Sequence, residues 1–486
     1  MIDIATASAV ELAAAIRRRE IGCLELLDAY AARIARHDKA LNSVVTLDLD
    51  RARQRAREAD EALGRGENWG PLHGLPITVK DSFETAGIRT TAGFPPLSSH
   101  VPATDAVIVD RTVKAGAIVF GKTNLPVLAA DLQSYNPIFG VTNNPWDTSR
   151  TPGGSSGGSA VSTACGFTSF EIGSDIGGSI RTPAGWCGVY GHKPTHGIIP
   201  GRGHIPGPPG MISEADLAVV GPMARSAADL ELLLGLQVGP SPDRGRAWRL
   251  DLPAPRREKL SDYRVAAWLD DENFPVDGAV RSVLSGAVQA LRSAGASVDE
   301  GARPALRLAD VYDTYFQLLA PVIVAGFPPE EVDAMTQLAQ SMPADARDGL
   351  TLMARYGTAA HRAWLAASEE RERIRAAFAD FFTRYDVLLT AITPVAAIAH
   401  DHSEPMPLRS IEVNGAPRPY LDLLAWISPA TCAYLPATSA PVGRTAGGLP
   451  VGVQIVGPYL EDRTTIDFAA RLAEVTGGFE APPLKG

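Results

Sequence analysis

The sequence predicts an α/β fold, because three separated stretches alternate helix-type and strand-type patterns. A helical stretch at 106–114 is followed at once by the apolar strand 117–122. Residues 263–298 read as a strand, an amphipathic helix and a second strand, and a strand at 451–456 precedes a helix near 464–475. Such alternation is typical of a β-sheet covered by helices.

The N-terminal stretch is predicted to be helical until it reaches a strand that ends in a lysine. The capping box SAVE at 8–11 stands directly before apolar side chains and marks a helix start. An apolar stripe at 27–34 and a charged stretch at 48–63 predict two more helices, the second with a solvated face of paired charges. The apolar run 75–79 then leads to Lys80.

The composition is that of an ordinary soluble globular chain. The 486 residues are 45% hydrophobic, and the net charge of −10 argues against a nucleic-acid partner. The N-terminus has no signal-peptide pattern and no apolar run has membrane-spanning length, so we expect a cytoplasmic protein without membrane association. The four cysteines are too few and too scattered for a disulfide framework, and we expect buried free thiols: Cys23, Cys165, Cys187 and Cys432.

Two serine-bearing glycine turns, TPGGSSGGSA from 151 and GSDIGGSIR from 173, are the least suited of all segments to simple packing. Glycine clusters occur where backbone takes unusual angles or approaches another group closely. In the second turn, glycines leave several N–H groups free to point at one spot, which is what a developing oxyanion needs. We therefore place the nucleophile at Ser179.

A serine nucleophile needs a base, and this neighbourhood contains no histidine. Lys80 follows an apolar strand, where burial disfavours the ammonium form and lowers the pKa of the amine. Lys122 ends a second strand and competes for the role. The residues alone do not decide which amine is buried.

The chain resembles the amidase signature family, which uses a Ser-cisSer-Lys triad. The family motifs fall on Lys80, on Ser155 in GGSSGG and on Ser179 in GSDIGGSIR, and these residues lie 75 and 24 residues apart, as the family expects. The match extends through WCGVYGHKPTHG and LPVGVQIVGP and so covers nearly the whole chain. The resemblance implies that Ser179 attacks the carbonyl, that Ser155 relays protons after a cis peptide bond, and that Lys80 is the base.

The same resemblance implies the fold and the rest of the site. The fold would be one large α/β domain over 1–486, with a twisted mixed β-sheet core surrounded by α-helices, and the strands of 263–298 would join that sheet. The oxyanion hole would be formed by the N–H groups of Ile176, Gly177, Gly178 and Ser179. No metal and no organic cofactor is expected, and a homodimer is left open.

The first glycine turn has two other interpretations. A phosphate-binding loop would end in Gly-Lys-Ser/Thr, but Gly158 is followed by Ser159-Ala160. GSSGG also satisfies the nucleophile elbow of α/β-hydrolases, with Ser156 as nucleophile and Asp386 with His400 or His402 as partners. An elbow should follow a strand, whereas residues 145–152 indicate a turn.

The sequence favours a neutral, rather apolar amide or carbamate as substrate. The mostly helical region at about 300–375 is rich in Tyr, Phe, Leu and Met, and by resemblance it shapes the substrate pocket. The alternative is the A-type subunit of a glutamine amidotransferase, which delivers ammonia to a partner protein acting on tRNA. No arginine in the 300s can be assigned to the α-carboxylate of glutamine.

Several side chains near the motifs are expected to have structural roles. The Gly/Pro-rich loop 197–211 should border the site, and its His204 is interpreted as a solvated loop residue in preference to a substrate contact. The His400-Asp401-His402 segment lacks a third ligand at a known spacing, so a solvated loop is favoured over a metal site. Cys187 has no activating base in view and is expected to pack.

Overall fold

The computed structural model describes residues 2–207 and 209–484. The α-helices of this part are α1 (Ala9–Arg17), α2 (Cys23–His37), α3 (Leu49–Gly64), α4 (Val107–Lys114), α5 (Gly157–Ala164), α6 (Arg181–Cys187), α7 (Ala227–Gln237), α8 (Gly278–Ser293), α9 (Leu308–Val324), α10 (Pro329–Ser341), α11 (Gly349–Gly357), α12 (His361–Arg384), α13 (Ser428–Cys432) and α14 (Asp462–Thr476). The strands are β1 (Val44–Leu47), β2 (Pro76–Lys80), β3 (Ile118–Thr123), β4 (Tyr135–Asn136), β5 (Gly140–Val141), β6 (Glu171–Asp175), β7 (Tyr190–Lys193), β8 (Val219–Ala224), β9 (Arg264–Trp268), β10 (Ser297–Asp299), β11 (Val387–Ala391), β12 (Ser410–Val413), β13 (Ala416–Pro419), β14 (Ala437–Arg444) and β15 (Pro450–Val456).

The centre of the fold is an eight-stranded mixed sheet in the order β10-β9-β11-β15-β14-β7-β8-β6. β9 pairs in parallel with β10 and β11, and the remaining neighbours are antiparallel. The predicted strand-helix-strand unit is confirmed, since β9 and β10 are adjacent parallel strands of this sheet and α8 connects them. The predicted fold class, a single α/β domain with a mixed sheet among helices, is confirmed.

A second, three-stranded sheet in the order β1-β3-β2 carries the lysine strand. The sequence did not predict that β2 lies outside the large sheet. Hydrogen bonds from Thr78 of β2 reach the neighbourhood of the large sheet: its N–H donates to Thr168 Oγ1 at 2.9 Å, and its hydroxyl donates to the Glu171 carboxylate of β6. The end of β2 is therefore held against β6, the strand that leads into the second glycine turn.

Local sequence signals account for the helix starts and for the packing of the central region. Ser8 caps α1 by accepting the Glu11 N–H at 3.1 Å, which is the predicted capping box. From α9 to α12 the chain is helical, and α9 buries an aromatic cluster that includes Tyr312, Tyr315 and Phe316.

Within the described residues, no helix is both long enough and apolar enough to cross a membrane.

Candidate active site

Lys80 lies at the end of β2 with its side chain fully buried. Its Nζ donates to Ser155 Oγ at 2.7 Å and to Ser174 Oγ at 2.9 Å. The structure thus brings the predicted base and the predicted relay serine into direct contact across 75 residues of sequence. Ser174, on β6, completes this buried cluster and was not predicted from the sequence.

Burial lowers the pKa of Lys80 to about 7, because desolvation disfavours the ammonium form. The carboxylates of Asp175 and Glu171 act in the opposite direction but are outweighed. The neutral form of Lys80 is therefore accessible near pH 7, and a neutral amine can accept a proton from the Ser155 hydroxyl.

The two serine-bearing turns are joined through their backbones. The Gly154–Ser155 peptide is cis, and the next N–H, that of Ser156, donates to Ser179 O at 3.1 Å. Ser155 and Ser179 retain only 1% and 6% of their surface, respectively. The Ser179 hydroxyl makes no hydrogen bond to any described residue, which leaves it available to a substrate.

Asp175 shapes the turn that carries Ser179. Its carboxylate accepts the N–H groups of Gly178, Ile180 and Arg181 at 2.9, 3.1 and 3.3 Å. Burial raises the pKa of the Asp175 carboxyl, but the Arg181 guanidinium and these hydrogen bonds outweigh burial and hold the pKa below its ordinary value. The ionised Asp175 carboxylate, at the end of β6, thus holds the loop that follows this strand.

The remaining amides of this loop face no protein acceptor. In the described chain, the N–H groups of Ile176, Gly177 and Ser179 have no hydrogen-bond partner. The N–H of Gly178 is different, because it already donates to Asp175, and its φ of +82° is one that glycine adopts without strain. The geometry therefore leaves three of the four expected amides available to an oxyanion and does not support a contribution from Gly178.

Comparison with known proteins identifies the family of this chain. The family model named Amidase matches residues 25–466. The chain belongs to the amidase signature family. A glutamyl-tRNA(Gln) amidotransferase subunit from Prochlorococcus marinus is 34% identical over 93% of this chain and 93% of its own length. The corresponding protein of Thermosynechococcus vestitus is 32% identical over 97% of this chain and 98% of its own length.

Two solved structures share the fold over their full length. A chain from a vestigial protein complex that reveals the origins of an s-triazine catabolic enzyme has a TM-score of 0.81 and 27% identity, with 99% of this chain and 100% of that chain covered. The 6-aminohexanoate cyclic dimer hydrolase has a TM-score of 0.79 and 26% identity, with both chains covered completely. The predicted family is confirmed, and so is the fold.

Lys122, the competing amine of this amidase signature protein, is also fully buried, but it contacts no serine in the described chain. Burial lowers the pKa of Lys122 to about 8, while its Nζ donates to the Phe83 carbonyl and to Thr85 Oγ1. Burial alone therefore does not distinguish the two lysines. The contact with Ser155 does, and it favours Lys80 as the base.

The α/β-hydrolase alternative is wrong. Asp386 pairs with Arg257 and Arg264 at 3.0 and 2.8 Å, so it is not available to orient a histidine. The Ser156 hydroxyl exchanges weak hydrogen bonds of 3.4 and 3.5 Å with the backbone of Ser174 and serves the turn.

His204 is partly buried, so it is less solvated than expected. Its ring packs on Phe83 at 4.8 Å between centroids, and its Nε2 is buried without a hydrogen-bond partner in the described chain. Burial lowers the pKa of His204 to about 3, and the nearby Lys80 charge adds to the effect. Residues 203–205 of this loop run along the segment after Lys80, since the Ile205 N–H donates to Ser82 O at 2.7 Å.

The other segments that the sequence singled out are packed rather than reactive. His402 stacks on Tyr135 at 3.9 Å and is half-buried with His400, so the segment is less solvated than expected. Among residues 2–207 and 209–484, no three or more His, Cys, Asp or Glu side chains form a group that could hold a metal ion. All four cysteines are free and buried, as predicted, and burial raises the pKa of the Cys187 thiol.

Arg181 anchors the nucleophile loop to the C-terminal part of the chain. Its guanidinium is fully buried and binds Asp175 at 2.7 Å. It also donates to the Ile427 carbonyl, Thr431 Oγ1 and Gln454 Oε1 at 2.9, 2.7 and 2.6 Å. Both Asp175 and Arg181 belong to the GSDIGGSIR motif. Two opposite charges in a turn of otherwise small or apolar residues were the sequence signal that could have indicated this buried ion pair.

Arg181→Met should destabilise the fold by at least about 3 kcal/mol, because it leaves the buried Asp175 carboxylate without its main partner. Urea denaturation followed by circular dichroism measures the change. The matched control is Arg18→Ala, which removes an exposed pair with Glu20 and should leave the midpoint unchanged. Equal midpoints for Arg181→Met and the wild type would contradict the anchoring role.

Proposed function

We propose that this chain hydrolyses an amide C–N bond through an acyl-enzyme on Ser179. The observation that carries the proposal is the buried contact between Lys80 Nζ and Ser155 Oγ, beside the loop that ends at Ser179. Neutral Lys80 takes the Ser155 proton while Ser155 takes the proton of the attacking Ser179 hydroxyl. The proton then returns through Ser155 to the leaving nitrogen, and water cleaves the resulting ester by the same route.

Charge on the carbonyl oxygen is stabilised in this mechanism by backbone amides. The free N–H groups of Ile176, Gly177 and Ser179 supply donors that are held before the substrate arrives. Donors fixed in advance need no reorganisation as charge develops, which is why such sites contribute strongly to rate. The fixed Asp175 carboxylate keeps the loop in this form.

A neutral, rather apolar amide or carbamate is the first substrate class that we propose. A Cβ placed on Gly177 would lie 3.3 Å from Leu424 Cδ2 and 3.3 Å from Tyr315 Oη. One on Gly178 would lie 2.9 Å from Thr182 Oγ1 and 3.2 Å from Ile427 Cγ2. These neighbours are two aliphatic side chains and two hydroxyls, and none of them carries a charge. In this proposal the helical region at about 300–375 shapes the pocket through α9.

Glutamine is the second candidate substrate, with this chain acting within a multi-subunit amidotransferase. The relatives from Prochlorococcus and Thermosynechococcus favour this candidate over the neutral-amide prediction, because they are amidotransferase subunits matched over nearly the whole chain. Two arginines of the central region argue the other way. Arg355 binds the Pro343 carbonyl and Arg371 binds Asp216, so neither is free for a carboxylate.

A substrate panel on the purified chain should separate the two candidates. We expect hydrolysis of acetanilides and alkyl carbamates with kcat/KM at least about tenfold above that for glutamine, because an apolar pocket gives no partner to the zwitterion. Ammonia and aniline release measure the two classes. A clear preference for glutamine, or activity that requires a co-purified partner, would support the amidotransferase candidate and contradict the neutral-amide proposal.

A further inference from the structure

We propose that Tyr315, from the central helical region, positions the oxyanion hole by fixing the peptide between Ile176 and Gly177. This inference rests on the proposed function, since it assigns a part in the same reaction. Tyr315 lies on α9, 139 residues after Ile176 in sequence, and its hydroxyl donates to Ile176 O at 2.9 Å. It touches the loop backbone rather than the reacting atoms, so its role is one of positioning.

Peptide geometry connects this hydrogen bond to the hole. The Ile176–Gly177 peptide is trans, since the cis bonds of the described chain are Gly154–Ser155 and Glu404–Pro405. In a planar trans peptide the C=O and the N–H point in opposite directions. Because Tyr315 holds the Ile176 carbonyl, the Gly177 N–H points away from the Tyr315 hydroxyl. In the described chain this N–H has no protein acceptor.

The loop is then held from two sides. Asp175 fixes the Gly178 N–H from β6, and Tyr315 fixes the Ile176 carbonyl from α9. The Gly177 N–H stands between these two attachments. In the described chain no other group forms a hydrogen bond with the Ile176 carbonyl or the Gly177 N–H. Loss of the Tyr315 hydroxyl therefore lets this peptide rotate more easily, because glycine offers little resistance to a change of backbone angles.

The environment of Tyr315 suits a permanent donor. Its side chain is fully buried, and burial raises the pKa of its phenol far above the ordinary range, so the hydroxyl stays protonated at any working pH. The ring packs edge-on against Phe316 at 5.6 Å between centroids, which restricts its movement. The donor of this hydrogen bond is thus neutral, buried and restricted in direction.

The test is Tyr315→Phe, which removes the hydroxyl and keeps the ring. We expect kcat for p-nitroacetanilide to fall by about 10- to 100-fold with KM within about twofold, because a misaligned donor weakens the transition state more than the ground state. The rate at which a fluorophosphonate labels Ser179 should fall by a similar factor. Replacing Tyr315 by p-aminophenylalanine, which keeps a donor, should restore most of both rates.

The matched control is Tyr312→Phe, one turn earlier on α9. Tyr312 is also buried and also donates to a backbone carbonyl, that of Leu421 at 3.1 Å, but it has no hydrogen bond to the loop in the described chain. The control substitution should leave kcat and labelling unchanged. Rates are normalised to the folded fraction from circular dichroism, so that a loss of stability in either variant does not count as a loss of activity.

The outcomes separate this inference from the proposed function. If the wild type is labelled at Ser179 and Tyr315→Phe is labelled equally fast, the positioning role is overturned and the hydrolase mechanism stands. An equal loss of rate in Tyr312→Phe and Tyr315→Phe would also overturn it, because the effect would then be a general one of α9. If the wild type is not labelled at Ser179, the proposed function itself fails, and the inference fails with it.

Discussion

Ser179→Ala should reduce amide hydrolysis to background, a loss on the order of 10⁶-fold if Ser179 forms the acyl-enzyme. Covalent labelling by a fluorophosphonate should disappear as well, because Ser179 carries the hydroxyl of the loop with three free amides. Mass spectrometry of the intact protein after labelling checks the result directly. The substitution removes one oxygen from a hydroxyl that makes no hydrogen bond to the described chain, so the fold should be unaffected.

Two neighbouring serines serve as controls for this loss. Ser156→Ala should keep the label, because its hydroxyl bonds only to the backbone of Ser174 in the described chain. The hydrolytic activity of Ser155→Ala should lie between background and that of the wild type, since water can partly replace a proton relay. Labelling that survives in Ser179→Ala but is lost in Ser156→Ala would place the nucleophile at residue 156 and refute the mechanism.

Lys80→Ala should lower kcat/KM at pH 7 by about 10²- to 10⁴-fold, the range that a general base contributes. In the wild type, kcat/KM should fall about tenfold for each pH unit below the Lys80 pKa of about 7, because protonation removes the base, and should level off above it. The variant should lose this acidic limb and regain some rate as pH rises, when hydroxide replaces the amine. Rate measurements across the range from acidic to alkaline pH give both profiles.

An unperturbed histidine titrates near a pH of about 6.5, so the profile alone does not identify the base. Substitution of the histidines separates the two possibilities. If Lys80 is the base, His400→Ala and His402→Ala should leave the acidic limb of the kcat/KM profile at the same pH. Lys122→Met should also retain the limb, because Lys122 contacts Phe83 and Thr85 rather than a serine. Near-normal activity of Lys80→Ala at pH 7 would refute its role and move the assignment to Lys122.

The sequence was informative about the site where the chemistry requires a particular residue type. Ser155, Ser179 and Lys80 stand in glycine turns or at a strand end, and each of these positions is a poor choice for packing alone. The structure brings two of them, Lys80 and Ser155, into hydrogen-bond contact. The mixed sheet, the capped first helix and the buried thiols also followed from family resemblance, local patterns and composition.

The sequence was not informative where the role of a residue depends on a distant partner. Ser174 resembles any polar residue of a strand until the fold places it 2.9 Å from Lys80 Nζ. Tyr315 resembles any aromatic residue on an apolar helix face, because the carbonyl that it binds lies 139 residues earlier. His204 was assigned to solvent because a Gly/Pro-rich loop is usually exposed, whereas here the loop lies against residues 82–84.

The strand order of the large sheet determines how late in synthesis the sheet can be completed. The last two strands of the described chain, β14 and β15, lie between β7 and β11, in the interior of the sheet. Until they emerge, β7 presents an open edge to other nascent chains, and Arg181 lacks its partner Gln454. An unpaired edge is a template for aggregation. Translation that stops before β14 should therefore yield an insoluble fragment rather than a weakly active enzyme.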